Sequence, residues 1–317
     1  MKKGIQLSIF LLLYSFSVVS QVNRYGTPLI SRFDAAVTPG ELRNLCITKD
    51  GLGVMYFGNE AGGIVTYDGT NWGIIRTPGM ESVTSVITDT RGIVYAGGRN
   101  DFGFLQPDEA GRMTFVSLKE LFENNDTVTQ KTPGTITAAA ADSNTVYFSD
   151  GRRLYRISAE GDSVSVTDLE GEYGISNVSA LISFDKTLII ADNLNGLFSF
   201  HRGEVKMIQG GERTAPAQFV RLLPYDRDNI LIGDAAKGMS LFNVRNGTLN
   251  DFPAGREEKR VTGNRSLTDL VQIPGNLIAA GFADRGGVYI YSHEGKLLQH
   301  ISEKTASVTE SSVTAMY

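Results

Sequence analysis

Six times in this chain a small residue closes a short apolar strand, and a second strand follows. The small residues are Gly58 after MYF, Gly97 after VYA, Ser149 after VYF, Ala191 after LII, Gly233 after ILI and Gly281 after IAA. They stand 39, 52, 42, 42 and 48 residues apart. The following strands read IVTY from Ile64, FGFL from Phe102, LYRI from Leu154, LFSF from Leu197, MSLF from Met239 and VYIY from Val288. Each ends in a turn signal, such as Asp68-Gly69, Glu160-Gly161 or Asn246-Gly247. A further strand precedes each pair, from NLCI at Asn44 to LTDLVQI at Leu267.

Four short strands every ~40–50 residues is the period of a propeller blade. The sequence therefore predicts an all-β fold: a β-propeller of four-stranded blades, with repeats at about 41–78, 79–118, 133–170, 176–210, 217–252 and 266–302. Residues 310–317 read as the first strand of a further blade, since Ser312-Val313-Thr314 parallels Ser82-Val83-Thr84. Six or seven blades are both compatible with this count, because that strand could instead close the ring. Two intervals are long, and each has an insert. Ser117 to Phe122 carries the S-x-x-E capping spacing of a short helix. Pro253 to Ser266 is a polar loop.

The N-terminus is of another kind. Met1-Lys2-Lys3 is basic, Ile9 to Phe16 is apolar, and Ser17 to Gln21 is a small-residue end. Residues 1–20 read as a secretory signal peptide and 21–317 as the propeller domain. The apolar run is short for a membrane span, so membrane attachment would need an uncleaved signal or a segment beyond residue 317. The formal net charge of −5 becomes about −7 when Lys2 and Lys3 are removed. Such an acidic exported domain does not suit nucleic-acid binding. A lone cysteine, Cys46, excludes an intrachain disulfide and reads as a small buried hydrophobe.

Residues 26–72 read GTPLISRF and then ELRNLCITKDGLGVMYFGNEAGGIVTYDGTNW, and a second copy, GIVYAGGRNDFGFLQPDEAGRMTFVSL, starts at Gly92. This resembles the start of the bacterial two-component-regulator propellers, sensor ectodomains of hybrid histidine kinases and triple-tyrosine helix-turn-helix regulators. The resemblance implies a periplasmic sensor, a sugar-like ligand, and a homodimer in a complete protein. It also implies a β-sandwich, a membrane helix and an output domain after the propeller. Those are not among the 317 residues, so the sequence reads as a partial chain.

Catalytic signatures are not found. His201, His293 and His300 fall at outer turns or in an outer strand without metal spacing, and no G-x-S-x-G occurs. The glycine loops open strands, not helices, so no cofactor or metal is expected. Asp150, Asp192 and Asp234 each follow the register residue directly. The same loops supply Asn59, Glu60, Arg99, Asn100, Asp101, Arg152, Asn193, Asn195, Lys237, Asp284 and Arg285. Such a rim of carboxylates, amides and cations could hydrogen-bond an oligosaccharide or another small polar ligand. Equally, each Asp could cap backbone N–H groups of its own turn. A propeller enzyme acting on sugars and a protein-interaction scaffold are the alternative readings.

Overall fold

The computed structural model describes residues 31, 33, 38–39, 43–123, 132–158, 161, 163–253, 265–303 and 313–317. The expected signal peptide and most of the polar 253–266 loop lie outside these residues. Within them, 24 strands form six antiparallel sheets of four, each made from four strands consecutive in the chain. The strand run is interrupted by the short helix Lys119–Glu123, where the capping spacing predicts one, and by a second at Leu169–Tyr173 that is not foreseen. Asp168 caps the second helix by accepting from the Gly171 N–H, and Gly174 ends it in the left-handed conformation.

The first strands of the blades are Asn44–Lys49, Val83–Thr88, Ala138–Ala141, Val178–Phe184, Phe219–Pro224 and Leu267–Ile273. They line a central channel. Each pairs through one residue with the small register residue of the second strand: Cys46 with Gly58, Ser85 with Gly97, Ala138 with Ser149, Ala180 with Ala191, Arg221 with Gly233 and Asp269 with Gly281. In five blades a register shift sits just before that pair. One extra residue there bends the strand at the channel wall.

The small residue is required by the next blade. A Cβ on Gly97 would lie 2.9 Å from Ile136, and one on Gly233 would lie 3.0 Å from Leu267. Each bulky residue opens the first strand of the following blade and drops over the glycine before it. Five buried clusters result, each shared by two successive blades. The cluster between blades 2 and 3 is aromatic, with Tyr95, Phe102, Phe122, Phe148 and Tyr155. Phe102 and Tyr155 lie 5.0 Å apart, and Phe122 meets Tyr155 edge-on at 5.5 Å.

Among the described residues, none of these clusters joins blade 6 to blade 1. Alternation along the strands shows the consequence. Tyr289 and Tyr291 of blade 6 are buried toward blade 5, while Val288 and Ile290 are half-buried on the other face. In blade 1, Tyr56 and Ile64 enter the cluster with blade 2, whereas Ile74 is 48% exposed. Residues 313–317 stand at this junction. The Val313 N–H donates to the Phe282 carbonyl, and a Cβ on Gly281 would lie 2.5 Å from Val313. Val313 thus holds the place that Ile136 and Leu267 hold in their blades. At the segment's other end Tyr317 donates to the Lys49 carbonyl of blade 1 at 3.5 Å. The six complete blades match the sequence reading, and residues 313–317 run in the inner-strand position without ladder pairing.

The close approach at the register residue sets an expectation. In Gly58→Ala, the new Cβ would lie 2.4 Å from the Cys46 sulfur and 2.7 Å from the Val83 carbonyl oxygen. Urea unfolding of this variant should show a loss of about 1–3 kcal/mol. Gly51→Ala, with nothing within 4 Å, should leave stability unchanged or slightly raised.

Candidate functional site

The turns between the second and third strands of each blade carry the candidate residues. Asp101, Asp150, Asp192 and Asp234 face inward. Asp192 Oδ1 accepts from the Leu194 and Asn195 N–H groups at 3.0 and 2.8 Å, and Oδ2 accepts from the Asn177 N–H at 2.6 Å. Asp234 repeats this with the Ala236 and Lys237 N–H groups on one oxygen and Gln218 on the other. Asp150 accepts from the Arg152 and Arg153 N–H groups and, at 3.1 Å, from the Gly134 N–H. Each carboxylate therefore caps its own turn and ties it to the segment entering the same blade 15 or 16 residues earlier.

Asp150 is the most heavily engaged. Its Oδ2 also receives the Tyr155 hydroxyl at 2.6 Å and the Arg153 guanidinium at 2.7 Å, and its side chain is 3% exposed. Burial alone would raise its pKa. The Tyr155 hydroxyl, the Arg153 charge and the turn N–H groups outweigh it and hold the carboxyl below its ordinary value. The Tyr155 hydroxyl is pushed up by burial and by the same carboxylate.

Asn59 and Asp101 are likewise buried and turned inward. Asn59 accepts from the Ala61 N–H and donates to Asn44. Asp101 accepts from the Phe102 N–H and the Ser117 hydroxyl, both at 2.7 Å. The other candidates form the outward layer. Glu60, Arg99, Arg152, Lys237, Asp284 and Arg285 are exposed, while Asn100, Asn193 and Asn195 are half-buried. Glu60 lies 3.9 Å from Arg43, Arg99 lies 3.4 Å from Glu81, Arg152 lies 3.4 Å from Glu170, and Arg285 lies 3.8 Å from Glu303. Exposed pairs of this kind contribute little to stability. Lys237 Nζ donates to the Thr214 and Pro216 carbonyls. Asn193 bridges blades 4 and 5 by accepting from the Phe219 N–H at 2.9 Å. Asn100, Asp284 and Arg285 hold positive φ, which fixes the tips of their turns.

Two outward residues escape sequence reasoning. Leu194 is 59% exposed and Tyr173 is 37% exposed. Asn195 joins their loops by donating to the Gly174 carbonyl at 3.3 Å. An apolar residue inside Asp-Asn-Leu-Asn is the one local signal that could have marked the spot. Among the described residues, no group of three or more His, Cys, Asp or Glu could hold a metal ion. His293 stacks on Tyr225 and His300 on Tyr289, each with ring centroids 4.0 Å apart.

Below the rim lies the channel, a cavity of about 680 Å³ lined by the first strands and residues 314–317. Cys46 faces it, with its thiol 3.7 Å from the Val83 carbonyl. Burial pushes this thiol up to about 12, so it stays protonated.

No protein-family model and no curated protein matches the sequence. Solved structures do. The extracellular domain of the putative hybrid two component system BT4673 from B. thetaiotaomicron superposes with a TM-score of 0.64 at 16% identity. That match covers 92% of this chain and 37% of the other. The corresponding domain of BT3049 from the same organism gives 0.66 at 16% identity, over 90% and 38%. A streptogramin B lyase gives 0.61 at 14% identity, over 82% of both chains. What is shared with all three is the β-propeller fold. The two sensor ectodomains are the same class of protein that the sequence resembles, and this chain spans under two-fifths of their length.

The turn acids lead to a stability expectation. Asp192→Ala leaves the Asn177, Leu194 and Asn195 N–H groups without their acceptor, and denaturant unfolding should register a loss of about 1–3 kcal/mol. Glu60→Ala should change stability by no more than about 0.5 kcal/mol. A second expectation concerns Cys46. A thiol-reactive dye at neutral pH should label the native protein far more slowly than the unfolded chain, and equal rates would contradict a protonated, enclosed thiol.

Proposed function

We propose that this chain is the periplasmic sensory propeller of a signal-transduction regulator, binding a polar ligand on its loop face and performing no catalysis in this segment. One observation carries the reading. In blades 3, 4 and 5 the inward acids lock the rim turn to its own blade, so a rigid scaffold presents amides, cations and two exposed apolar side chains to solvent. Loops fixed in this way are where binding groups are usually placed. The similarity to sensor ectodomains supports the sensory part.

An oligosaccharide is the leading ligand class. Hydroxyls match amide and guanidinium donors, and Leu194 and Tyr173 offer apolar faces beside them. In a longer, dimeric sensor the ligand would act by favouring one of two assembly states, through its different affinity for each. The expected signal peptide would place the domain in the periplasm. A lyase-like activity is the second reading, favoured by the similarity to streptogramin B lyase.

A thermal-shift screen against neutral and charged oligosaccharides tests the proposal. A ligand of the loop face raises the melting temperature with a concentration dependence set by its affinity. The shift should shrink in Asn195→Ala, and the ligand should be recovered unchanged. A panel without any shift sinks the ligand-binding reading, and recovery of a cleaved product replaces it with the enzymatic one.

A further inference from the structure

The row of first-strand residues that pair with the register positions is small in four blades: Cys46, Ser85, Ala138 and Ala180. In the last two blades it carries Arg221 and Asp269. Packing asks for nothing charged there, and a well-packed apolar pair is commonly at least as stable as an ion pair with a buried member. Asp269 is 4% exposed and Arg221 is 45% exposed. The Arg221 Nε and Nη2 groups donate to Asp269 Oδ1 at 2.9 and 2.8 Å. The remaining Asp269 oxygen accepts from the Met316 N–H at 2.6 Å, and Oδ1 also accepts from the Leu270 N–H. The carboxylate is thus fully committed. The guanidinium still has Nη1, with no partner among the described residues.

One position earlier in the first strands, threonine hydroxyls are directed at the next blade and not into the channel. Thr84 and Thr137, one position before the paired residue, give their hydroxyls to the next blade at the Ile136 and Val178 carbonyls. Thr268 holds that position in blade 6, and its buried hydroxyl has no partner. The charged side chains lining the cavity are Lys49, Arg221 and Asp269, two cations and one anion.

We propose that the channel binds a small carboxylate, with Arg221 as the anion-binding group and Asp269 holding the guanidinium in place. An arginine fork matches a carboxylate, and the enclosed channel screens the attraction less than open solvent does. The cavity admits a carboxylate carried by a free acid or by a uronic sugar. This site is separate from the loop face and does not rest on its role.

Calorimetric titration of the intact chain with acetate, D-glucuronate and D-glucose tests it. Saturable binding of acetate, glucuronate or both, without binding of glucose, is expected. Acetate alone points to free acids and glucuronate alone to uronic sugars. Arg221→Gln should weaken binding about tenfold or more. Asn195→Ala should leave it unchanged. Circular dichroism checks that each variant folds, and if Arg221→Gln does not, Arg221→Lys, which keeps the charge but loses the planar fork, should weaken binding and decides. Absence of saturable carboxylate binding, equal binding of glucose, or wild-type affinity in every folded channel variant overturns the proposal.

Discussion

The fold depends on one recurrent contact: the opening residue of each blade seated on the small residue that closes the second strand of the blade before. Ile136 on Gly97 and Leu267 on Gly233 leave no room for a Cβ. The contact sets the distance between neighbouring sheets, and so decides which side chains can mesh in the clusters between them. Backbone closeness on one edge and side-chain interdigitation along the rest are two results of the same spacing. Where the register residue is Ser149 or Ala191, its ladder partner within the same blade, Ala138 or Ala180, is also small.

The same economy governs the rim. An acid placed after the register residue can reach both its own turn and the segment entering its blade; in blades 4 and 5 a bend of the first strand accompanies this, and in blade 3 the connection forms without one. Asp150, Asp192 and Asp234 are consumed in this way. Blade 1 reaches a comparable arrangement with Asn59 bonded to Asn44. Under the proposed reading, recognition would fall to the outward side chains, which the inward acids leave available. The division separates a scaffold that must be repeated from a surface free to vary around the ring.

Much of the fold was legible because its determinants are local. The Gly58 spacing and the Asp68-Gly69 turn lie within a few residues of the strands they shape. Local reasoning also allowed the turn-capping role of Asp192, since two of its bonds reach only Leu194 and Asn195. Its bond to Asn177 was not legible, because it depends on a first strand that bends. The pairing of Arg221 with Asp269 spans 48 residues and two blades, and nothing near either residue announces it. Leu194 and Tyr173 belong to different loops, so only the fold brings them to one surface. Residues 313–317 show the converse. Val313 lies over Gly281 as Val83 lies over Gly58, but residues 313–317 form no strand of a further blade.

The uneven distribution of clusters has a mechanical meaning. Five welds join six plates, and the described residues place at the sixth seam a short segment held by Val313, Asp269 and Lys49. Energetically such an arrangement is a strip bent into a circle, governed by nearest-neighbour coupling. Among the described residues, blades 2 to 5 are clamped on both sides and blades 1 and 6 on one, so opening is expected to start at the seam and travel inward. Whatever occupies that seam therefore acts on the stability of every blade while touching only two of them.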